Sequence, residues 1–135
     1  DNDVHFIGYI AGFFAVIGHI FPLYYGFKGG KGVLVGVSVF LVIDPIVFGI
    51  LILIFAVILA FSKYVSLSSI IATICCPFIT FLMQCFAEGT SLKLSVVYAV
   101  LTLPICILVI FMHRTNITRL KNGTENRFSF HKKEE

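Results

Sequence analysis

The segment Gly18-His-Ile-Phe-Pro-Leu-Tyr-Tyr-Gly-Phe-Lys-Gly-Gly-Lys-Gly32 sets two lysines among glycines. Glycine backbone leaves N–H groups able to converge on one anion, and a helix starting just after them adds its positive end. Lys28, Gly29, Gly30, Lys31 and Gly32 together therefore suit a phosphate. The pattern is not a P-loop, because Tyr25 stands where the first glycine belongs and Gly32 replaces the hydroxyl residue that would hold magnesium. Alone, it equally describes a flexible basic loop. Two further polar segments change the balance. Lys63-Tyr-Val-Ser-Leu-Ser-Ser69 carries a group of hydroxyls that includes Ser66. The stretch His113-Arg-Thr-Asn-Ile-Thr-Arg-Leu-Lys-Asn-Gly-Thr-Glu125 puts His113, Asn116 and Leu120 on one helical face with Arg119 beside it, and Asn122-Gly123 marks the stop. A tail that only met anionic lipid would need just Lys and Arg. The Asn, His and Glu mixed into this one point to specific hydrogen bonding.

The elements that must position these groups follow from composition. The 135 residues are 59% hydrophobic and 13% charged, with mean hydropathy +1.02. Soluble domains are about 25% charged, so a water-facing globule is excluded. A net charge of +3 beside fifteen Phe gives no support for nucleic-acid binding or disorder. The chain reads as a single integral membrane domain over 1–135. Its uncharged stretches are 4–27, 32–43, 45–62, 64–87 and 94–113. A crossing needs about 20 apolar residues, which four of them supply, whereas 32–43 makes only about 18 Å of helix.

Charge parity decides the short one. If it crosses, Lys28, Lys31, Lys63, Arg114, Arg119, Lys121, Arg127, Lys132 and Lys133 share one side and Lys93 alone lies opposite. If it does not, Lys28, Lys31 and Lys93 oppose the other seven. Cytoplasmic loops collect Lys and Arg, so the expectation is an all-α polytopic bundle with about five transmembrane helices. The spans are about 4–25, 32–43, 45–62, 68–87 and 94–112. Asp1 lies outside and 113–135 is a cytoplasmic tail. Asp44-Pro45 and Ala87–Lys93 become the outer turns. Gly8 and Gly12 form a GxxxG, which with Ala15 puts His19 on a packed face inside the bundle. Pro77 and Pro104 predict kinks within spans.

Other features carry less. Cys75, Cys76, Cys85 and Cys106 lie in apolar spans without metal-ligand spacing and read as small buried hydrophobes, so no disulfide, metal or cofactor is implied. Asn116-Ile-Thr118 and Asn122-Gly-Thr124 match the glycosylation pattern but face the cytoplasm in this topology. His5 reads as interfacial. Ionisable groups are nearly absent from the midplane, which argues against a coupled transporter. Asp1 is no translation start, so the chain is expected to be part of a longer one.

At the quoted residues the sequence resembles the bacterial acyl-phosphate:glycerol-3-phosphate acyltransferases of the PlsY type. The block Gly18-His19-x-Phe21-Pro22-x4-Phe27-Lys28-Gly-Gly-Lys31-Gly-Val33 is similar to that family's second cytoplasmic motif. Tyr64-Val-Ser66-Leu-x-Ser69 resembles the short segment that follows it. His113-Arg-x-Asn116-Ile-x-Arg119-Leu-x-x-Gly123-Thr-Glu125 resembles the third motif. An earlier Ser-Gly-Asn-type motif has no counterpart here, and Leu34 stands where the family has a small Ala. The resemblance implies attack of the 1-hydroxyl of glycerol 3-phosphate on a fatty acyl phosphate, giving lysophosphatidate and phosphate, in the bacterial cytoplasmic (inner) membrane. It further implies a soluble acyl-phosphate-forming acyltransferase as a contact. On this reading Lys28, Gly29, Gly30, Lys31, Gly32 and Arg119 bind substrate phosphate. Ser66, Asn116 and Glu125 position the acceptor, with His19 or His113 as general base. The competing reading is a non-catalytic membrane protein, a transporter fragment or a lipid-binding subunit.

Overall fold

The computed structural model describes residues 2–21 and 33–129. Among these, the chain forms α1 (Asn2–Ile20), α2 (Val33–Ile43), α3 (Pro45–Ser62), α4 (Val65–Phe86), α5 (Leu92–Met112) and α6 (Arg114–Lys121). α1, α3, α4 and α5 are each long and apolar enough to cross a membrane. α2, at 11 residues, would reach only about 16 Å and is too short by length alone. Among the described residues α1 ends at Ile20 and α4 begins at Val65, and the end of the 4–25 span lies outside the described residues. α4 and α5 remain helical through Pro77 and Pro104.

Local chemistry sets the ends. Asp44 accepts the Val47 N–H and Pro45 opens α3, which satisfies one orphan amide and pre-sets φ. Ser91 caps α5 through Leu94 N–H. Lys63 closes α3 in the left-handed region at φ 62, a conformation usually left to glycine. Gly123, at φ 70, reverses the chain after α6.

α1 and α2 run antiparallel, with Gly8 against Ile43 and Gly12 against Val39. Tyr9 meets Tyr98 at 5.8 Å and Val16 packs with Ile105 and Val109, so α1 and α5 run parallel. One end of the bundle gathers His5, Asp44, Gln84 and Thr90. The other gathers Lys63, Tyr64 and the segment after His113. One core cluster consists of Tyr9, Phe40, Val47, Leu51, Cys76, Ile79, Tyr98 and Cys106, and a second of Val16, Ile20, Ile105 and Val109. Phe61, Phe78, Phe86, Ile107 and Phe111 point outward, as lipid-facing side chains do.

Asp44, in the α2–α3 turn, is fully buried and accepts from Gln84 Nε2 at 3.1 Å, while Gln84 accepts from Thr90 at 3.2 Å. The tight α2–α3 turn leaves that side chain nowhere else to go. His19 is exposed rather than inside the bundle. The glycine face meets α2 at Gly8 and Gly12, and α1 ends one residue after His19.

Candidate functional site

The first turn of α4 is rich in hydroxyls, and most are consumed within the helix. Ser68 donates to the Tyr64 carbonyl (2.7 Å), Ser69 to Val65 (2.9 Å) and Thr73 to Ser69 (2.7 Å). Such back-bonding satisfies the hydroxyl without reaching anything else. Ser66 differs. Its hydroxyl donates across the bundle to Glu125 Oε1 at 3.0 Å.

Glu125 is the centre of a three-donor cluster. Asn116 Nδ2 donates to Oε1 and Arg119 Nε to Oε2, both at 2.8 Å. The Glu125 side chain is 8% exposed, against 48% for Arg119. α6 makes this possible because residues 116 and 119 share a face, and Gly123 turns the chain so that Glu125 returns to it. The hydrogen bond from Arg119 first, then those from Asn116 and Ser66, hold the Glu125 carboxyl below the usual carboxylate range against its partial burial. A general base works best with a pKa near the operating pH, so Glu125 is suited to holding the other three groups in place.

His113 sits at the α5–α6 junction, buried, with Nδ1 2.8 Å from the Val109 carbonyl. A carbonyl only accepts, so Nδ1 carries a proton. Ser66, His113, Asn116, Arg119 and Glu125 thus come together at the mouth of a cavity of about 830 Å³. His19 lines the same cavity from the end of α1. Its inner wall is apolar, with Gly36, Phe40, Leu51, Phe55, Ile105 and Val109. A polar mouth above an apolar shaft fits a ligand with one polar head and one hydrocarbon tail. Lys28, Gly29, Gly30, Lys31 and Gly32 lie outside the described residues. No group of three or more His, Cys, Asp or Glu able to hold a metal occurs among the described residues.

The family model described as glycerol-3-phosphate acyltransferase matches residues 3–123, nearly the whole described chain. The chain belongs to that family. A glycerol-3-phosphate acyltransferase of Staphylococcus saprophyticus is 42% identical over 118 residues, 87% of this chain and 54% of that protein. One from Fusobacterium nucleatum is 42% identical over 129 residues, covering 96% and 60%. The chain thus spans about half the length of the curated relatives it matches. Crystal structures of PlsY (YgiH), an integral membrane glycerol 3-phosphate acyltransferase, share the fold. The lysophosphatidic acid form has a TM-score of 0.66 at 31% identity, over 93% of this chain and 70% of that one. The glycerol 3-phosphate form has a TM-score of 0.62 at 32% identity.

Sequence reasoning missed two groups. Arg127 and Tyr64 also belong to this end of the molecule: Arg127 Nε donates to the Tyr64 hydroxyl at 3.1 Å. The signal was faint, a lone Arg two residues beyond Glu125. The Asp44–Gln84–Thr90 network at the other end gave none, since Gln84 lies in an otherwise apolar run.

Proposed function

We propose that this chain carries the acyl-transfer site of an enzyme that makes lysophosphatidate from glycerol 3-phosphate and a fatty acyl phosphate. The observation that supports it most directly is the Glu125-centred cluster of Ser66, Asn116 and Arg119 at the polar mouth of an apolar cavity. That a family structure exists in a glycerol 3-phosphate form and another in a lysophosphatidic acid form agrees with it.

In the proposed reaction the 1-hydroxyl oxygen of glycerol 3-phosphate attacks the acyl carbonyl carbon. The bond from that carbon to the phosphate oxygen breaks, and phosphate leaves with the bonding electrons. The hydroxyl proton passes to His113 Nε2 or to a substrate phosphate. His113 suits this better than His19, because its ring is buried and its Nδ1 is held by the Val109 carbonyl. The mixed anhydride is already activated, so no covalent enzyme intermediate is needed. Ser66 and Asn116 orient the acceptor, and Arg119 with Lys28, Lys31 and the N–H groups of Gly29, Gly30 and Gly32 binds phosphate. The acyl chain enters the shaft between α2, α3, α4 and α5. The site faces the cytoplasm of a bacterial inner membrane, on the side that holds most Lys and Arg, where a soluble acyl-phosphate-forming acyltransferase can deliver the donor.

The test is lysophosphatidate formation by membranes containing the chain, given acyl phosphate and labelled glycerol 3-phosphate. Product is expected, with a loss of about 10²–10³ in rate for Asn116→Ala, the usual effect of deleting a preorganised donor. Product formed equally by the variant would remove the cluster from the mechanism. No product, with lipid or solute binding retained, would favour the non-catalytic reading.

A further inference from the structure

The segment after α6 is fastened at two points. Glu125 is tied to α4 and α6 by its three donors, and the Phe128 N–H donates to the Lys63 carbonyl at 2.6 Å. The Thr124 N–H also returns to the Arg119 carbonyl at 2.9 Å. Arg127 lies between the two fixed points. Its Nε bonds to the Tyr64 hydroxyl at 3.1 Å, and its guanidinium carbon stands 5.5 Å from the centre of the Tyr64 ring. Both Asn126 and Arg127 line the cavity mouth.

The charges at this mouth are unequal. Arg119 is paired with Glu125 at 2.8 Å. Among the described residues no carboxylate pairs with Arg127. Its Nε is occupied by a neutral hydroxyl and the guanidinium rests toward an aromatic ring, which leaves the two terminal nitrogens to serve a ligand in the cavity that Arg127 lines. A guanidinium held in this way has the fork geometry that matches a phosphate bidentately, with little side-chain freedom left to lose.

We infer that Arg127, positioned by Tyr64, binds the phosphate monoester of a substrate at the mouth of the cavity. The inference rests on the proposed function above and adds to it a phosphate-binding residue beyond the Lys28–Gly32 loop and Arg119. Tyr64 is a positioning residue: it touches Arg127, and through it the ligand.

The experiment uses the chain in detergent or nanodiscs and compares wild type with Arg127→Gln, Arg127→Lys and Tyr64→Phe. Inorganic phosphate and glycerol 3-phosphate are the binding probes, and the KM of each substrate is read in the lysophosphatidate assay. Deleting a charge-assisted bidentate contact is expected to weaken binding roughly tenfold or more. Arg127→Gln should therefore raise KM for one substrate by that factor with kcat nearly unchanged. Arg127→Lys should recover part of the loss, and Tyr64→Phe should lose less than Arg127→Gln. A KM shift confined to glycerol 3-phosphate assigns the acceptor's phosphate, and one confined to acyl phosphate assigns the donor's. Amide exchange at Phe128 reports whether the segment is still seated in each variant.

Unchanged binding and KM in Arg127→Gln would overturn the inference while leaving acyl transfer in place. A loss that tracks with faster Phe128 exchange, and that Arg127→Lys does not relieve, would assign Arg127 a structural role and overturn it too. Arg127-dependent binding by a chain that makes no product would uphold it and overturn acyl transfer by this chain. Wild type that neither binds phosphate nor makes product would overturn both.

Discussion

Ser66 and Ser68 are two residues apart on one helix, yet only one faces the site. Ser68 spends its hydroxyl on the Tyr64 carbonyl, whereas Ser66 donates to Glu125. Ser66→Ala should lower kcat/KM about 10–100-fold, the scale of one lost charged hydrogen bond, while Ser68→Ala should stay within a few-fold in the same assay. Equal losses would show that the hydroxyl row acts as a whole. Glu125 gives a pH prediction. Its pKa is lowered in the folded state, chiefly by the Arg119 hydrogen bond. Its stabilisation is therefore complete above the unfolded-state value and disappears as pH falls through the lower folded one. A spin label at residue 126 should remain immobilised through the ordinary carboxylate range and become mobile only at more acid pH. In Glu125→Gln it should be mobile at neutral pH. A label that loosens near neutrality in the parent chain would mean that something other than Glu125 fastens the segment.

At the scale of elements, the α1–α2 contact is the tightest test of packing. A Cβ on Gly12 would run into Val39 Cγ1, and Val39 is β-branched and cannot swing aside. At Gly8 the nearest atoms are Ile43 Cγ1 and Cδ1 at 3.0–3.1 Å, a contact that a shift of a few tenths of an ångström relieves. At Gly49 nothing lies within 4 Å. Gly12→Ala should cost about 1–3 kcal/mol by overpacking, Gly8→Ala less, and Gly49→Ala nothing, by thermal unfolding in detergent. The GxxxG was readable as a close helix contact. Its partner was not, because short α2 showed no motif of its own. The α6 stop at Asn122-Gly123 was legible from residue type alone, and the structure puts the left-handed turn there.

For the whole molecule, the antiparallel run of α2 against α1 separates the charges by end. Asp3, Asp44, Glu88 and Lys93 mark one end of the bundle; Lys63, Arg114, Arg119, Lys121, Glu125 and Arg127 mark the other. Positive charge collects on the cytoplasmic side, so cysteines placed at Ser91 and Ser129 should react with an impermeant reagent from opposite faces of the membrane. Labelling of both from one face would mean that α5 does not carry the chain across.

Composition and charge spacing were enough to determine a helical membrane protein and the three motifs that make the family recognisable. Those properties are local or additive: hydrocarbon length, charge parity, a turn residue. Which of four neighbouring hydroxyls bonds outside its own helix, where Glu125 reaches, and why Asp44 is buried depended on tertiary structure. Each is a contact between residues far apart in the chain, such as Ser66 with Glu125 or Asp44 with Gln84. A side chain's local pattern states what it can bond to, and only the fold decides which partner comes within 3 Å.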